Sequence, residues 1–175
     1  MTDQQWIYDS SADGSARFVL GTVGENPLVC FGINPSTAVP GVPDPTVKRV
    51  IRFAADNGFD SWTMLNVYPQ ISTDPRGMHS DHEPALKAEN ERRIARAIQG
   101  RPTLLAAWGG LITSRSYLRP LLRDIVEITT AAGSQWMSLG EVTKDGHPRH
   151  PLYLSAAAPL VPFDMAEYLA QPDRD

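Results

Sequence analysis

LVCFGINPS, residues 28–36, decides how the rest of the chain is read. Four apolar residues, Leu28 to Phe31, run through Gly32 and Ile33 and stop at Asn34-Pro35-Ser36. A short continuous apolar run bounded by breakers reads as a strand buried on both faces, as in parallel α/β sheets. Proline has no N–H for a sheet ladder, so the strand ends there. Ligands of open α/β sheets bind just beyond the carboxyl ends of the strands. Asn34 therefore stands at the mouth of such a site.

Working outward, Arg17–Val23 reads as an edge strand, and residues 1–16, polar and small, as a loosely held lead-in. Asp44-Pro45 opens a helix, with an acidic N-cap followed by proline at the first helical position. That helix runs to about Asn57, with Val47, Val50, Ile51 and Ala54 on its apolar face and Gly58 as its stop. Lys48, Arg49 and Arg52 fall on its wet side. Ser61–Val67 is a second buried strand, followed by a polar loop over 70–82 and a helix over Pro84–Gln99 with Leu86, Ile94, Ala95 and Ile98 inward. Thr103–Trp108 is a third strand and Gln135–Leu139 a fourth. The segment Arg115–Ala132 between them is helical, interrupted before Pro120. A loop over 143–151 leads to a last helix near Pro162–Leu169. Strands alternating with helices predict one α/β domain over residues 1–175, a three-layer αβα sandwich around a central four-stranded parallel sheet.

Composition narrows the function. Hydrophobic residues at 42% and charged residues at 21% are ordinary for a globular protein. The net charge of −4 argues against a protein that coats nucleic acid, yet permits a local basic face. The lone cysteine, Cys30, allows no internal disulfide and suits a reducing cytoplasm. The N-terminus lacks a signal-peptide pattern, and no apolar run approaches the ~20 residues that span a bilayer. Four histidines without ligand-like spacing give no metal site, and neither GxSxG nor a Walker or GxGxxG arrangement occurs. No cofactor is implied.

The pieces Asn34–Ala38 (NPSTA), Asp44–Thr46 (DPT), Asn66–Tyr68 (NVY), Ala106–Gly109 (AAWG) and His150–Leu154 (HPLYL) resemble a bacterial and phage family of unknown function. A more distant likeness carries chemistry. Phe31–Ser36 (FGINPS) is similar to the GINPG water-activating motif of the mismatch-specific branch of the uracil-DNA glycosylase superfamily. Leu65-Asn66 resembles that superfamily's base-reading strand end, Trp108-Gly109-Gly110 its WG strand end, and His150-Pro151-Leu152 its HPSPL motif. The four occur in the same order. The departures are Leu152-Tyr153-Leu154 in place of Ser-Pro-Leu and the lack of a motif fixing an aromatic to stack on the base.

The resemblance implies a monofunctional DNA N-glycosylase that flips a modified or mismatched pyrimidine out of DNA and leaves an abasic site. Asn34 would hold the attacking water through its carbonyl, since its amide does not titrate near neutrality. By itself Asn34-Pro35 reads as a turn tying off a strand; with the other motifs the catalytic reading takes precedence. His150, neutral, would support the departing base anion. Ile33, Pro35, Ser36, Asn66 and Tyr68 would form the base pocket, with Asn66 pairing to a uracil-like or cytosine-like edge according to its amide orientation. Asn66 reads equally as a strand-end residue bonded to its own turn. Lys48, Arg49, Arg52, Lys144, His147, Arg149, Leu152 and Tyr153 are the candidate DNA contacts, although any one of the charges also reads as a solvated residue. Ser36 stands where the strict uracil branch has a tyrosine that blocks C5, so C5-substituted pyrimidines are the expected substrates, as in defence against phage with modified DNA. The expected partner is DNA, duplex with a flipped base or single-stranded, bound by a monomer. The rival readings are a non-catalytic nucleic-acid or nucleotide-binding module and a hydrolase of free modified nucleosides.

Overall fold

A computed structural model of the chain describes residues 3–100 and 103–172. The run that opens the sequence reading becomes β3, Pro27–Gly32, in the middle of a mixed sheet. In chain order the other strands are β1 (Trp6–Ser10), β2 (Arg17–Thr22), β4 (Ser61–Asn66), β5 (Thr103–Ala106), β6 (Gln135–Leu139) and β7 (Leu160–Pro162). The helices are α1 (Pro45–Asp56), α2 (Pro84–Ala97), α3 (Leu118–Ala131) and α4 (Met165–Ala170). Three short 3₁₀ turns cover Pro75–Gly77, Gly109–Thr113 and Pro151–Tyr153.

The architecture is α/β, but the sheet has seven strands rather than the four expected. Its order is β1-β2-β4-β3-β5-β6-β7. The run β4-β3-β5-β6 is parallel, while β1, β2 and β7 are antiparallel additions at the two sides. The expected lead-in is thus in part a strand. Trp6 stands edge-on to Trp62 with ring centroids 5.6 Å apart, which ties β1 to the sheet. Arg17–Thr22 is consequently not an edge: β1 covers one side, and β4 lies on the other, where Gly21 faces Thr63. A Cβ on Gly21 would come within 2.5 Å of the Trp62 carbonyl oxygen, so only glycine admits that approach. At three residues, β7 is too short to show an alternating pattern.

Alternation along β3 divides the core. Val29 and Phe31 face α2 and α3, packing with Ile94, Leu118 and Leu122. Leu28 and Cys30 face α1, packing with Val47, Val50 and Phe53. Each fully buried large apolar side chain here is worth roughly 1.5–3 kcal/mol. Helix α1 starts as the sequence predicts: the Asp44 carboxylate accepts from the Val47 N–H at 2.8 Å, Pro45 follows, and Gly58 takes a φ of 80° just beyond the end. Pro120 does not interrupt α3. It sits in the first turn, where its missing N–H has no intrahelical partner to lose. No helix among the described residues is long and apolar enough to cross a membrane.

Candidate functional site

Where β3, β4 and β5 end, their following loops enclose a cavity of about 630 Å³. All four motifs of the sequence reading reach it: Ile33, Asn34 and Ser36; Asn66; Trp108 to Gly110; and Arg149 to Tyr153.

Asn34 is fixed by the backbone around it. Its Nδ2 donates to the carbonyls of Pro35 (3.0 Å) and Ser72 (2.9 Å), with that of Gln70 at 3.5 Å. The loop supplying these acceptors is tied back by the Ser72 N–H donating to the Pro35 carbonyl at 2.9 Å. Reversing the amide would set its oxygen against carbonyl oxygens, so the orientation is determined. The two amide protons are spent on backbone, and Oδ1 remains as the acceptor that Asn34 offers.

Asn66 lies 2% exposed, in register with Gly32 across the parallel pair. A Cβ on Gly32 would stand 3.1 Å from Asn66 Oδ1, so the glycine makes room for the amide. Behind it, Asn90 of α2 donates from Nδ2 to the carbonyls of Asn66 (2.9 Å) and Val67 (3.3 Å), which holds the strand end in place. The Asn66 Nδ2 group is buried and has no partner. Leaving a buried donor unsatisfied costs about 1–3 kcal/mol.

His150 caps the Pro151–Tyr153 turn, its Nδ1 accepting from the Leu152 N–H at 3.2 Å. An accepting Nδ1 is unprotonated, so in the neutral ring the proton sits on Nε2. Burial lowers the His150 pKa from its ordinary value, against a smaller opposing pull from Asp44, and the ring is neutral at pH 7. Gly109 makes the approach possible. It has a φ of 59°, its N–H donates to the Pro148 carbonyl at 2.9 Å, and a Cβ there would stand 3.3 Å from that of His150. Tyr153, 82% exposed, tilts over His150 with ring centroids 5.7 Å apart.

The other candidates divide. Leu152 and Arg149 line the cavity, Arg149 with its Nε donating to the Glu141 carbonyl at 2.9 Å. Pro35 is buried and outside the lining. Tyr68 is fully buried away from it, its hydroxyl 2.7 Å from His79 Nδ1 and accepting from the Glu83 N–H at 3.0 Å. His147 also turns aside, with Nδ1 2.8 Å from the Tyr168 hydroxyl. Of the basic residues on α1, Arg49 donates to the Leu154 carbonyl at 3.3 Å and Arg52 pairs with Asp56 at 3.5 Å, while Lys48 is exposed. Lys144 is exposed outside the lining.

Two charged residues in the wall were not in the sequence reading, Arg17 and Asp44 as a ligand contact. Cys30 also lines the cavity, but burial pushes its thiol up to about 12, which removes it as a thiolate nucleophile. Among the described residues, no lysine lines the cavity.

A protein-family model described as "Protein of unknown function (DUF1643)" matches residues 17–152. No curated protein and no solved structure matches the chain.

Proposed function

The chain belongs to the DUF1643 family, and we propose that it is a monofunctional DNA N-glycosylase of uracil-DNA glycosylase type that excises a C5-substituted pyrimidine flipped into this cavity. The observation that carries the reading is the pinned amide of Asn34. A side chain whose donors are both spent on backbone carbonyls presents one acceptor, Oδ1, to the space beside it. That is the group required to hold a water for attack without acting as a base.

In this reaction the C1′–N bond breaks with its electron pair leaving on the base. The water at Asn34 Oδ1 forms the new C1′–O bond, and its proton ends on the departing base. Charge support does most of the work in so dissociative a step. His150 Nε2–H donates to the base carbonyl where negative charge gathers. Asn66 supplies the buried, unpartnered donor for the base edge. Among the described residues no lysine lines the cavity to offer an amine for a Schiff base, so the expected product is an uncut abasic strand. Tyr153 is exposed beside the cavity, with the half-buried Leu152 next to it, as an aromatic able to fill the gap left by the flipped nucleotide.

The cavity volume lies within the roughly 300–1,000 Å³ of small-molecule sites and exceeds what an unsubstituted pyrimidine fills. Ser36 in the wall leaves the C5 corner open. Incubation with single- and double-stranded DNAs carrying uracil, thymine, 5-methylcytosine or 5-hydroxymethylated pyrimidines, followed by alkali, tests this. Strand breaks at the 5-hydroxymethylated positions are expected, with thymine, the ordinary 5-methylated base, left intact. Ser36→Tyr should suppress those breaks about tenfold or more relative to uracil, the scale on which a pocket discriminates by size. Alkali-stable DNA throughout would leave a binding module in place of an enzyme.

A further inference from the structure

Arg17 is 3% exposed and lines the cavity. Its guanidinium makes one hydrogen bond, from Nη1 to the Ala38 carbonyl at 2.9 Å, while Nε is buried without a partner. No carboxylate lies in salt-bridge range of it among the described residues. Buried charges are ordinarily paired, because desolvation is otherwise uncompensated. A guanidinium left this way in a cavity wall suits a ligand oxygen that arrives with the substrate. Ala38 is two residues beyond Ser36, so Arg17 stands behind the same corner that Ser36 leaves open.

The corner also contains an acceptor. Asp44 lines the cavity, and its charge acts on both Arg17 and His150. One of its oxygens is committed to the Val47 N–H, so the carboxylate is fixed in place. A fixed cation beside a fixed anion suits a group that both accepts and donates, and disfavours one carrying net charge of either sign. We propose that Arg17 and Asp44 are specificity-determining residues that recognise a neutral, hydroxyl-bearing substituent on C5 of the pyrimidine, Arg17 donating to the hydroxyl oxygen and Asp44 accepting its proton. This rests on the glycosylase reading for the identity of the ligand, though not for the chemistry of the corner.

The test measures the binding and the excision of oligonucleotides that differ at one pyrimidine, carrying 5-hydroxymethyl, 5-methyl or 5-carboxyl. The wild-type chain should bind the hydroxymethyl DNA about tenfold more tightly than the methyl DNA, the scale of one hydrogen bond to a charged group. The carboxyl DNA should gain nothing. Arg17→Gln should bring hydroxymethyl binding down to the methyl level, and Arg17→Lys should retain part of the preference. Asp44→Asn keeps a competent N-cap and should admit the carboxyl DNA. Equal wild-type binding of the hydroxymethyl and methyl DNAs overturns the proposal, even if every variant fails to fold. So does a preference that persists in folded Arg17→Gln. A hydroxyl preference lost in Arg17→Gln without abasic product from any DNA would sink the glycosylase reading and leave the recognition corner standing. Abasic product without that preference would do the reverse.

Discussion

The floor of the cavity and its rim are built on opposite principles. On the floor, Asn34 is held by backbone carbonyls, and Asn66 is buried over Gly32 with Asn90 bracing the strand behind it. At the rim, Tyr153 is 82% exposed, and Leu111 also presents an apolar side chain to solvent. Rigid polar groups with unsatisfied capacity are what bond-making chemistry needs, since they are preorganised before the substrate arrives. Exposed apolar groups around an opening are what a large partner covers. Under the proposed function, reaction and base reading belong to the floor and duplex contact to the rim.

The sharpest way to break this division is to change the floor and watch the rim's property. Asn34→Ala removes the acceptor that Asn34 offers, together with its bonds to the Pro35 and Ser72 carbonyls, and leaves Tyr153 and Leu111 unchanged. Single-turnover excision should fall ~10²-fold or more, as for loss of one electrostatic group, while DNA affinity measured by anisotropy stays within about twofold. A comparable loss of affinity would show that the floor binds as well as reacts.

The converse change is Tyr153→Ala. A stacking aromatic contributes roughly 1–3 kcal/mol per base, so DNA should bind about tenfold more weakly. Excision from saturated complexes should change little by comparison. A larger fall in turnover than in affinity would move Tyr153 from the rim into the reaction.

The smallest effect concerns His150, which joins the two regions. The folded chain keeps this ring neutral to lower pH than the unfolded chain does. Between the two values the unfolded state binds more protons, so stability rises with pH there. The contribution is complete above the ordinary value of 6.5 and lost as the pH falls through the lowered folded value. Excision should thus be flat through neutrality and decline only on the acid side, as protonated Nδ1 gives up the Leu152 N–H. A wild-type profile that rises on acidification, or an unchanged acid limb in His150→Gln, would remove the neutral ring from the account.

Much of the floor was legible in the sequence because breakers mark it. Asn34-Pro35, Asn66 and Gly109-Gly110 each end an apolar run, and a parallel sheet brings such ends together. The helix start at Asp44-Pro45 was readable for the same local reason. What escaped depends on pairing at a distance. Trp6, Ile7 and Tyr8 are strand-favouring residues, but the run is short and set among polar residues, and its partner and the ring of Trp62 lie far along the chain. Arg17 looked like an ordinary strand-leading charge. Its burial follows from β1 and β4 flanking β2. Asn90 did leave a signal. It interrupts the apolar stripe Leu86, Ile94, Ile98 at the four-residue spacing, and a polar residue there needs a buried partner. Tyr68 and His147 sit next to motif residues in sequence, yet their hydroxyl and ring find other partners behind the wall.

The central claim is that the cavity breaks an N-glycosidic bond and does nothing further to the strand. Mass spectrometry of a single-site 5-hydroxymethylated oligonucleotide after incubation with the full chain measures this directly. The account predicts a free base and a full-length strand whose mass has fallen by the base and risen by one water. An unchanged strand mass while the DNA is demonstrably bound would contradict it.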